Sequence, residues 1–281
     1  MPDPQTEAES PLEAEWLDAA RAGDRSALEH LIERYQSRIY RFGLRMCRDP
    51  EVAKDVMQDT LIAMARGVRS FRGGSSLSTW LYTIARSYCI KTHRRSRFAP
   101  REVQSIDASP EAANIVDPAR RSDDELGARR LEHILESAID ELDPKYRDVM
   151  VLRDIEGLSA PEVADVLEIS VDAVKSRLHR ARLDVRARVA PALGGDQPLQ
   201  VAKQPDCPDV LGQFSRHLEG DITADVCAEM ERHLSACSRC RTACDSLRLV
   251  LGMCRAAPAE VPDEVQRSVQ RAIRDVLENA S

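Results

Sequence analysis

Apolar side chains recur three or four positions apart along most of this 281-residue sequence, which is the repeat of an amphipathic α-helix. One such stretch runs from Trp16 to Arg48, and others begin at Pro50, Leu77 and Leu126. The chain has 12 Gly and 15 Pro, too few and too unevenly placed for an all-β protein that turns about every ten residues. The pattern predicts an all-α fold.

No segment has the apolar length of a membrane span, which needs about 18 consecutive apolar residues. The first thirty residues are acidic, whereas a secretory signal begins basic and continues apolar. We therefore expect a cytoplasmic protein without a membrane partner. Because thiols stay reduced in that compartment, the eight cysteines indicate metal or redox chemistry before structural disulfides.

Charge is distributed unevenly, although the formal net charge is only −7. Residues 66–101 hold nine Arg or Lys and no acid, and residues 171–190 hold six basic against two acidic side chains. Between them, residues 102–144 hold twelve acids and four Arg. Local basic patches steer nucleic-acid binding more than total charge does, so the two basic segments predict a DNA partner.

Prolines, glycines and acidic residues divide the sequence into six segments. We expect a disordered tail (1–14), a first helical module (15–97), an acidic linker (98–124), a second helical module (125–190), a linker (191–204) and a small cysteine-rich helical domain (205–281).

Two helices of the first module carry side chains suited to partners. Asp49 and Pro50 predict the start of one at Pro50, because Asp caps free amides and Pro is tolerated in a first turn. Asp55, Gln58 and Asp59 then share one face of this helix, a stripe that is also typical of an ordinary solvated surface.

Aromatic and basic side chains interleave in the following helix, which we expect from about Leu77 to Arg95. They are Trp80, Tyr82, Arg86, Lys91, Arg94 and Arg95. Cations neutralise phosphates and aromatic rings accept exposed bases, so this combination favours single-stranded DNA. Trp80 packing in the core is an equal alternative, because helical aromatics usually point inward.

The second module ends in a predicted helix-turn-helix. Ser159 and Glu162 form a capping box, and a second helix begins after Ser170. The expected base-facing and phosphate-facing positions of that helix include Asp172, Ala173, Lys175, Ser176, Arg177, His179 and Arg180, with Arg182 and Arg186 also suited to phosphates. Its core face carries Val174, Leu178 and Ala181. Helix-turn-helix shapes without DNA also occur, but the basic excess favours DNA.

Together the two modules resemble bacterial sigma factors of the extracytoplasmic-function type over about residues 15–190. The segment Asp55–Leu61 is similar to the family's D-x-x-Q-[DE]-x-[FL] polymerase-binding pattern, and Thr79–Arg86 is similar to its T-W-L-Y-x-I-A-R promoter-melting pattern. The run Val174–Arg182 resembles its minus-thirty-five reader. The resemblance implies core RNA polymerase as partner, with Asp55, Gln58 and Asp59 on its β′ clamp helices, and promoter DNA.

The cysteine-rich domain contains a ligand pattern, H-x-x-x-C-x-x-C, formed by His233, Cys237 and Cys240. Helical spacing places His233 and Cys237 one turn apart, and Cys207 is the predicted fourth ligand. Three thiolates and one imidazole suit tetrahedral Zn²⁺ in a structural or regulatory role. The alternative is a chance clustering of cysteines in an amphipathic helix.

Residues 205–255 resemble the zinc-binding anti-sigma domain, which is normally a separate protein. Its fusion here implies regulation in cis, by intramolecular contact with the two sigma modules. A final helix from about Asp263 carries Val265, Val269, Ile273 and Leu277 on one stripe. That stripe suits docking on another helix, and self-packing within the small domain is the alternative.

Two other classes of function compete with this interpretation. A metal- or redox-responsive helix-turn-helix repressor acting without polymerase accounts for the second module and the tail, but leaves the first module unexplained. An enzyme is disfavoured, because three Cys and one His leave no open position on zinc. We also find no phosphate loop, nucleophile elbow or paired carboxylates, so we predict no catalytic residues.

Overall fold

The computed structural model describes residues 11–98, 123–193, 207–256 and 261–278, and for residues 93–98, 123–126, 256 and 275–278 it describes the backbone alone. Over these residues the chain forms twelve α-helices and no strand, which confirms the predicted all-α fold. The helices are α1 (Pro11–Arg21), α2 (Arg25–Cys47), α3 (Pro50–Gly67), α4 (Leu77–Phe98), α5 (Asp123–Asp140), α6 (Pro144–Met150), α7 (Ala160–Leu167), α8 (Val171–Val189), α9 (Val210–His217), α10 (Ala224–Ala236), α11 (Ser238–Ala256) and α12 (Asp263–Glu278). In this described part, no helix has the length and apolar character needed to cross a membrane.

The first module begins earlier than the sequence pattern predicts. Residues 11–14, expected in the tail, form the first turn of α1, and the apolar stretch that follows is divided between α1 and α2 at Gly23 (φ +99°). The buried Glu13 carboxylate accepts hydrogen bonds from Arg34 Nε, at 2.6 Å, and from the Tyr35 hydroxyl. An acid therefore anchors α1 to α2, a contact that apolar periodicity does not reveal.

Helices α2 and α3 approach each other closely. A Cβ added at Gly43 of α2 would stand 3.1 Å from the Ala53 Cα of α3, so a larger residue would force the two helices slightly apart at this crossing. The predicted start of α3 is confirmed, because Asp49 Oδ1 accepts from the Glu51 amide at 2.9 Å and caps the helix. This packing fixes the orientation of the α3 face that carries the predicted polymerase contacts.

The second module contains α5 to α8 and the predicted helix-turn-helix. Ser159 caps α7, and Glu162 Oε2 accepts from the Ser159 amide at 2.8 Å, which confirms the capping box. Helices α7 and α8 have 8 and 19 residues. Val174, Leu178 and Ala181 are each 0% exposed, so the predicted core face of α8 is confirmed.

The cysteine-rich domain (205–281), which we call the C-terminal tail or simply the tail from here on, contacts both modules. Helices α9 and α11 pack on α8, and α11 also contacts α5 and a π-helical turn, Val151–Ile155, that continues α6. Helix α12 begins at Asp263 as expected and packs on α3 of the first module. Val265, Val269 and Ile273 are buried, whereas the Leu277 side chain lies outside the described ones. Over its described residues, the apolar stripe of α12 therefore docks on a helix of another domain and does not pack within the small cysteine-rich domain.

Candidate functional sites

The polar stripe on α3 remains accessible beside α12. Asp55 and Asp59 are exposed and Gln58 is half-buried, while Val56 and Met57 lie in the core. Two carboxylates thus stand on the outer side of the helix that α12 contacts.

Trp80, at the start of the predicted melting segment, is half-buried. Its ring lies 5.2 Å from the Phe71 ring, centroid to centroid, and a Cβ at Gly67 would meet it at 3.0 Å. Trp80 lines an open groove together with Phe71, Thr79 and, from α7 of the second module, Asp165. The melting segment therefore faces the second module in this structure.

Tyr82 is buried completely. Its hydroxyl donates to Glu156 Oε2 at 2.6 Å, and Arg41 donates to the same carboxylate, with Nε at 2.7 Å from Oε1. Burial and the negative charge of Glu156 raise the pKa of Tyr82 well above its usual value. Tyr82 is a sequence-predicted DNA contact, but in this arrangement it joins the two modules and presents no surface to DNA.

A second carboxylate of the second module, Glu162 of α7, also contacts the first module. Glu162 Oε1 accepts hydrogen bonds from Ser76 Oγ at 2.5 Å and Thr79 Oγ1 at 3.1 Å, at the start of α4. Burial opposes the charge on Glu162, but hydrogen bonds from Ser76 and Ser159 outweigh it and lower the pKa of this carboxyl. We call the contacts of Glu156 and Glu162 with the first module the module latch.

The other predicted contacts on α4 differ in exposure. Arg86 is half-buried and its Nη1 lies 3.5 Å from the Val166 carbonyl of α7. Lys91 is exposed, with its ammonium 5.2 Å from the Tyr88 ring centroid. Arg94 and Arg95 belong to α4, but their side chains lie outside the described ones.

The predicted reading face of α8 is partly occupied. Asp172 and Ser176 are exposed, Ala173, Arg177 and His179 are half-buried, Lys175 pairs with Asp221 of the tail, and Arg180 donates to the Tyr146 hydroxyl. Burial lowers the pKa of His179.

Arg182 lies in a buried ion network that joins α8 to the tail. The side chains of Arg182 and Asp154 are both 0% exposed and pair through two hydrogen bonds, of 2.7 Å and 2.9 Å. Glu219 accepts from Arg182 at 2.7 Å and from Arg153 at 3.0 Å. Burial opposes the charge on Arg182, but the two carboxylates outweigh it and raise its pKa. The expected phosphate contact of Arg182 is thus absent in this arrangement, because the guanidinium is enclosed by carboxylates.

Arg186 is enclosed by the tail in the same way. Its Nε donates to the Ala243 carbonyl at 3.0 Å and to Ser246 Oγ at 2.8 Å, both on α11. Arg177, Arg182 and Arg186 are the arginines of α8 that we expected to contact phosphates. Arg182 and Arg186 are buried under α9 and α11.

Four predicted ligands come together in the tail. One ligand atom from each of Cys207, His233, Cys237 and Cys240 lies within 4.8 Å of the others. Ligand atoms around tetrahedral zinc stand roughly 3.5–3.8 Å apart, so a small inward movement completes a site. His233 Nε2 is a buried atom without a hydrogen-bond partner in the described part of the chain. Buried polar atoms are normally paired, and a metal ion would supply the partner of this nitrogen. The donor set therefore fits Zn²⁺.

The helical geometry of the cluster differs slightly from the sequence expectation. Helix α10 ends at Ala236, and Cys237 is an extended residue between α10 and α11. Backbone and thiol hydrogen bonds from Cys240 lower the pKa of Cys237, while burial raises that of Cys240 to about 12. Cys244 is buried outside the cluster.

The sequence does not reveal Glu156, Glu162 and Glu219 as contact residues between domains. Each lies in or beside a helical segment, next to apolar residues or glycine that indicate no distant partner. The pattern around Glu162 indicates only a local capping role. The sequence gives one indication of such contacts, which is the number of basic side chains expected on α4 and α8. It predicts that carboxylates elsewhere in the chain pair with them, but it does not identify those carboxylates.

Three segments match known families. Residues 31–98 match Sigma-70 region 2, and residues 132–185 match Sigma-70, region 4. Residues 207–241 match a family described as "Putative zinc-finger".

Similar curated proteins are sigma factors. The chain is 32% identical to the RNA polymerase sigma factor YlaC of Bacillus subtilis, over 58% of this chain and 91% of that protein. It is 30% identical to the ECF RNA polymerase sigma factor SigW of the same organism, over 62% and 94%. The solved structure of CnrH in complex with the cytosolic domain of CnrY has 25% identity and a TM-score of 0.46, over 66% of this chain and 99% of that one.

Proposed function

The chain belongs to the extracytoplasmic-function (ECF) family of RNA polymerase sigma factors, and we propose that its zinc-binding tail restrains this activity within the same molecule. In this proposal α3 docks on the β′ clamp helices of core polymerase through Asp55, Gln58 and Asp59. Helix α4 opens the minus-ten element, and α8 reads the minus-thirty-five element. The observation that carries the proposal is the placement of the tail on both modules of one chain.

The sigma activity is tested by transcription with core polymerase and a promoter library, using a chain that ends at residue 199. We expect promoter-specific transcripts. The double change Asp55→Ala and Asp59→Ala should weaken core binding at least about tenfold, or roughly 1.4 kcal/mol. Asp18→Ala removes another exposed acid of the first module and serves as the control. Tight duplex binding without polymerase, and no transcript, would instead support the repressor alternative.

Helix α12 supports restraint at the polymerase-binding module. Its buried stripe, with Val269 1% and Ile273 4% exposed, packs on α3. Beside Ile273, a cleft is lined by Ile32 and Glu29 of α2. A polymerase helix approaching the same helix α3 must share its surface with α12. The energetic cost of displacing α12 therefore opposes polymerase docking.

The tail also restrains the DNA-reading module by charge. Glu219 and Asp221 lie just after α9, and we call these two residues the acidic turn. They pair with Arg182 and Lys175 of α8, where phosphates would otherwise bind. Because neutralised cations no longer release counterions from DNA, this pairing lowers the affinity of α8 for duplex.

The module latch implies that activation separates the modules. Elements named minus-ten and minus-thirty-five are centred roughly 25 base pairs apart, which is about 85 Å along B-DNA at 3.4 Å per base pair. The hydrogen bonds that Tyr82 and Arg41 donate to Glu156, of 2.6 Å and 2.7 Å, hold the two modules in contact instead. We infer that modules held in this contact cannot engage both elements at once, which supports the proposal that the tail-bound arrangement is the restrained one.

We propose that Cys207, His233, Cys237 and Cys240 hold one Zn²⁺. A bound ion would link three segments of the tail to one another. Cys207 precedes α9, while His233 belongs to α10 and Cys240 to α11. The site therefore maintains the orientation of α9 and α11, both of which pack on α8. We further propose that the protein acts in the cytoplasm.

Zinc content tests this assignment. We expect about one zinc per chain in the full-length protein by atomic emission, and a loss of most of it in Cys237→Ser and in His233→Ala. Cys227→Ser, which changes a tail cysteine outside the cluster, should keep its zinc. Full zinc retention in either of the first two variants would refute the ligand set.

A further inference from the structure

Two cysteines outside the tail form a close pair in the first module. Cys47 is the last residue of α2 and Cys89 lies in α4. Their sulfur atoms are 2.7 Å apart, and the residues are 6% and 2% exposed. A disulfide requires about 2.05 Å between sulfurs, so a sub-ångström movement is sufficient for bond formation.

The two thiols have different proton affinities. The hydrogen bond between the two thiols lowers the pKa of Cys47, and the positive charge of Arg147 acts in the same direction, against burial and the charge of Asp49. The pKa of Cys89 is raised by its hydrogen bond to Cys47 and by burial. We therefore expect Cys47 to be the attacking thiol of the pair.

Arg147 is a buried cation whose charge acts on the Cys47 thiol. It belongs to α6 of the second module and is 6% exposed, yet its Nε and Nη1 have no hydrogen-bond partner in the described part of the chain. A buried guanidinium without full hydrogen bonding favours a nearby anion. Attraction to Asp148, Asp140 and a Cys47 thiolate acts against the lowering of the Arg147 pKa by burial.

We propose that Cys47 and Cys89 are a peroxide-reactive thiol pair that closes to a disulfide between α2 and α4. The Cys47 thiolate attacks one oxygen of hydrogen peroxide, which breaks the O–O bond and gives a sulfenic acid and hydroxide. The hydroxide takes up the proton that Cys47 had lost, so one water is released. The Cys89 thiol then attacks the sulfenic sulfur, forming the S–S bond and releasing a second water. Two thiols are oxidised and one peroxide is reduced to two waters.

This pair is separate from the zinc ligands. The bond joins residues that are 42 positions apart within the first module, and it ties α4, which carries the promoter-melting segment, to α2. The metal cluster belongs to the tail. The chain thus has two separate thiol sites that can react with an oxidant independently. The proposal does not depend on restraint of the sigma modules by the tail.

Peptide mapping of the full-length, zinc-loaded and reduced protein tests the proposal. After graded hydrogen peroxide and alkylation, trypsin without reductant should release Met46–Arg48 joined to Ser87–Lys91. We expect this linked peptide to be the main product at low peroxide, with zinc retained and dithiothreitol restoring both thiols. Wild-type protein without the linked peptide, under conditions that oxidise other cysteines, would overturn the proposal.

Variants separate the two thiols. In Cys89→Ala the disulfide cannot form, so a sulfenic-acid probe should label Cys47. Cys254→Ala, which changes a buried cysteine of α11, should leave the linked peptide unchanged. We expect Cys47 to react at least roughly tenfold faster than Cys254, whose pKa burial raises to about 12. Equal rates for the two would contradict the assignment of Cys47 as nucleophile.

Discussion

Removal of residues 200–281 should increase promoter-specific transcription by at least about tenfold at limiting polymerase. A tail joined to its target has an effective concentration on the order of 1 mM, so even weak docking on α3 and α8 keeps most molecules restrained. Deletion removes α12 from α3 and the acidic turn from α8. Reconstituted transcription with full-length and shortened chains measures the effect. Unchanged activity would refute inhibition, and lower activity would make the tail a positive element.

A point variant tests the same contact in the full chain. Val269→Asn places an amide in the 1%-exposed contact between α12 and α3, which loses roughly 1.5–3 kcal/mol of apolar burial and leaves a polar group without partners. We expect increased polymerase binding and transcription. Arg267→Asn changes an exposed position of the same helix and serves as the matched control. Equal activity of the two variants would contradict restraint through α12.

Asp154→Ala should lower the free energy of unfolding by about 3–5 kcal/mol, because it leaves the buried Arg182 guanidinium without its main partner. Urea unfolding of the full-length protein measures this loss. Asp184→Ala removes an acid that pairs with Arg188 on the exposed side of α8, and it should cost no more than about 1 kcal/mol. Similar losses in the two variants would show that the buried Asp154–Arg182 pair contributes no more to stability than the exposed Asp184–Arg188 pair.

The same network distinguishes stability of the second module from docking of the tail. Asp154 lies in the second module itself, whereas Glu219 belongs to the tail. In a chain ending at residue 199, Asp154→Ala should remain destabilising. In the full chain, Glu219→Gln should weaken tail docking and raise DNA binding while Arg182 keeps its pair with Asp154. A Glu219→Gln protein with unaltered DNA affinity would contradict the screening role of the acidic turn.

The helix boundaries that local chemistry controls were predictable. The Asp49–Pro50 start of α3, the capping box of α7 and the start of α12 at Asp263 depend on residues within about four positions of each other. The start of the first helix was predicted too late, because Glu13 is held by Arg34 and Tyr35 rather than by a local signal.

The metal cluster was predictable for a similar reason. Three of its four members stand within eight residues, and helical spacing brings His233 and Cys237 together. Cys207 was selected as the fourth by its position before a helix, and the structure places it in the same cluster.

The amino-acid sequence by itself determined the all-α fold, the helix caps, the sigma motifs and the ligand pattern, because each depends on neighbours along the chain. Only the tertiary structure decided that Tyr82 and Arg182 are buried rather than presented to DNA, that α12 lies on α3, and that Cys47 meets Cys89. Those outcomes depend on which carboxylates and apolar stripes meet across distances of tens to more than a hundred residues. The same basic side chain pairs with a phosphate or with a carboxylate of its own chain according to how the modules pack.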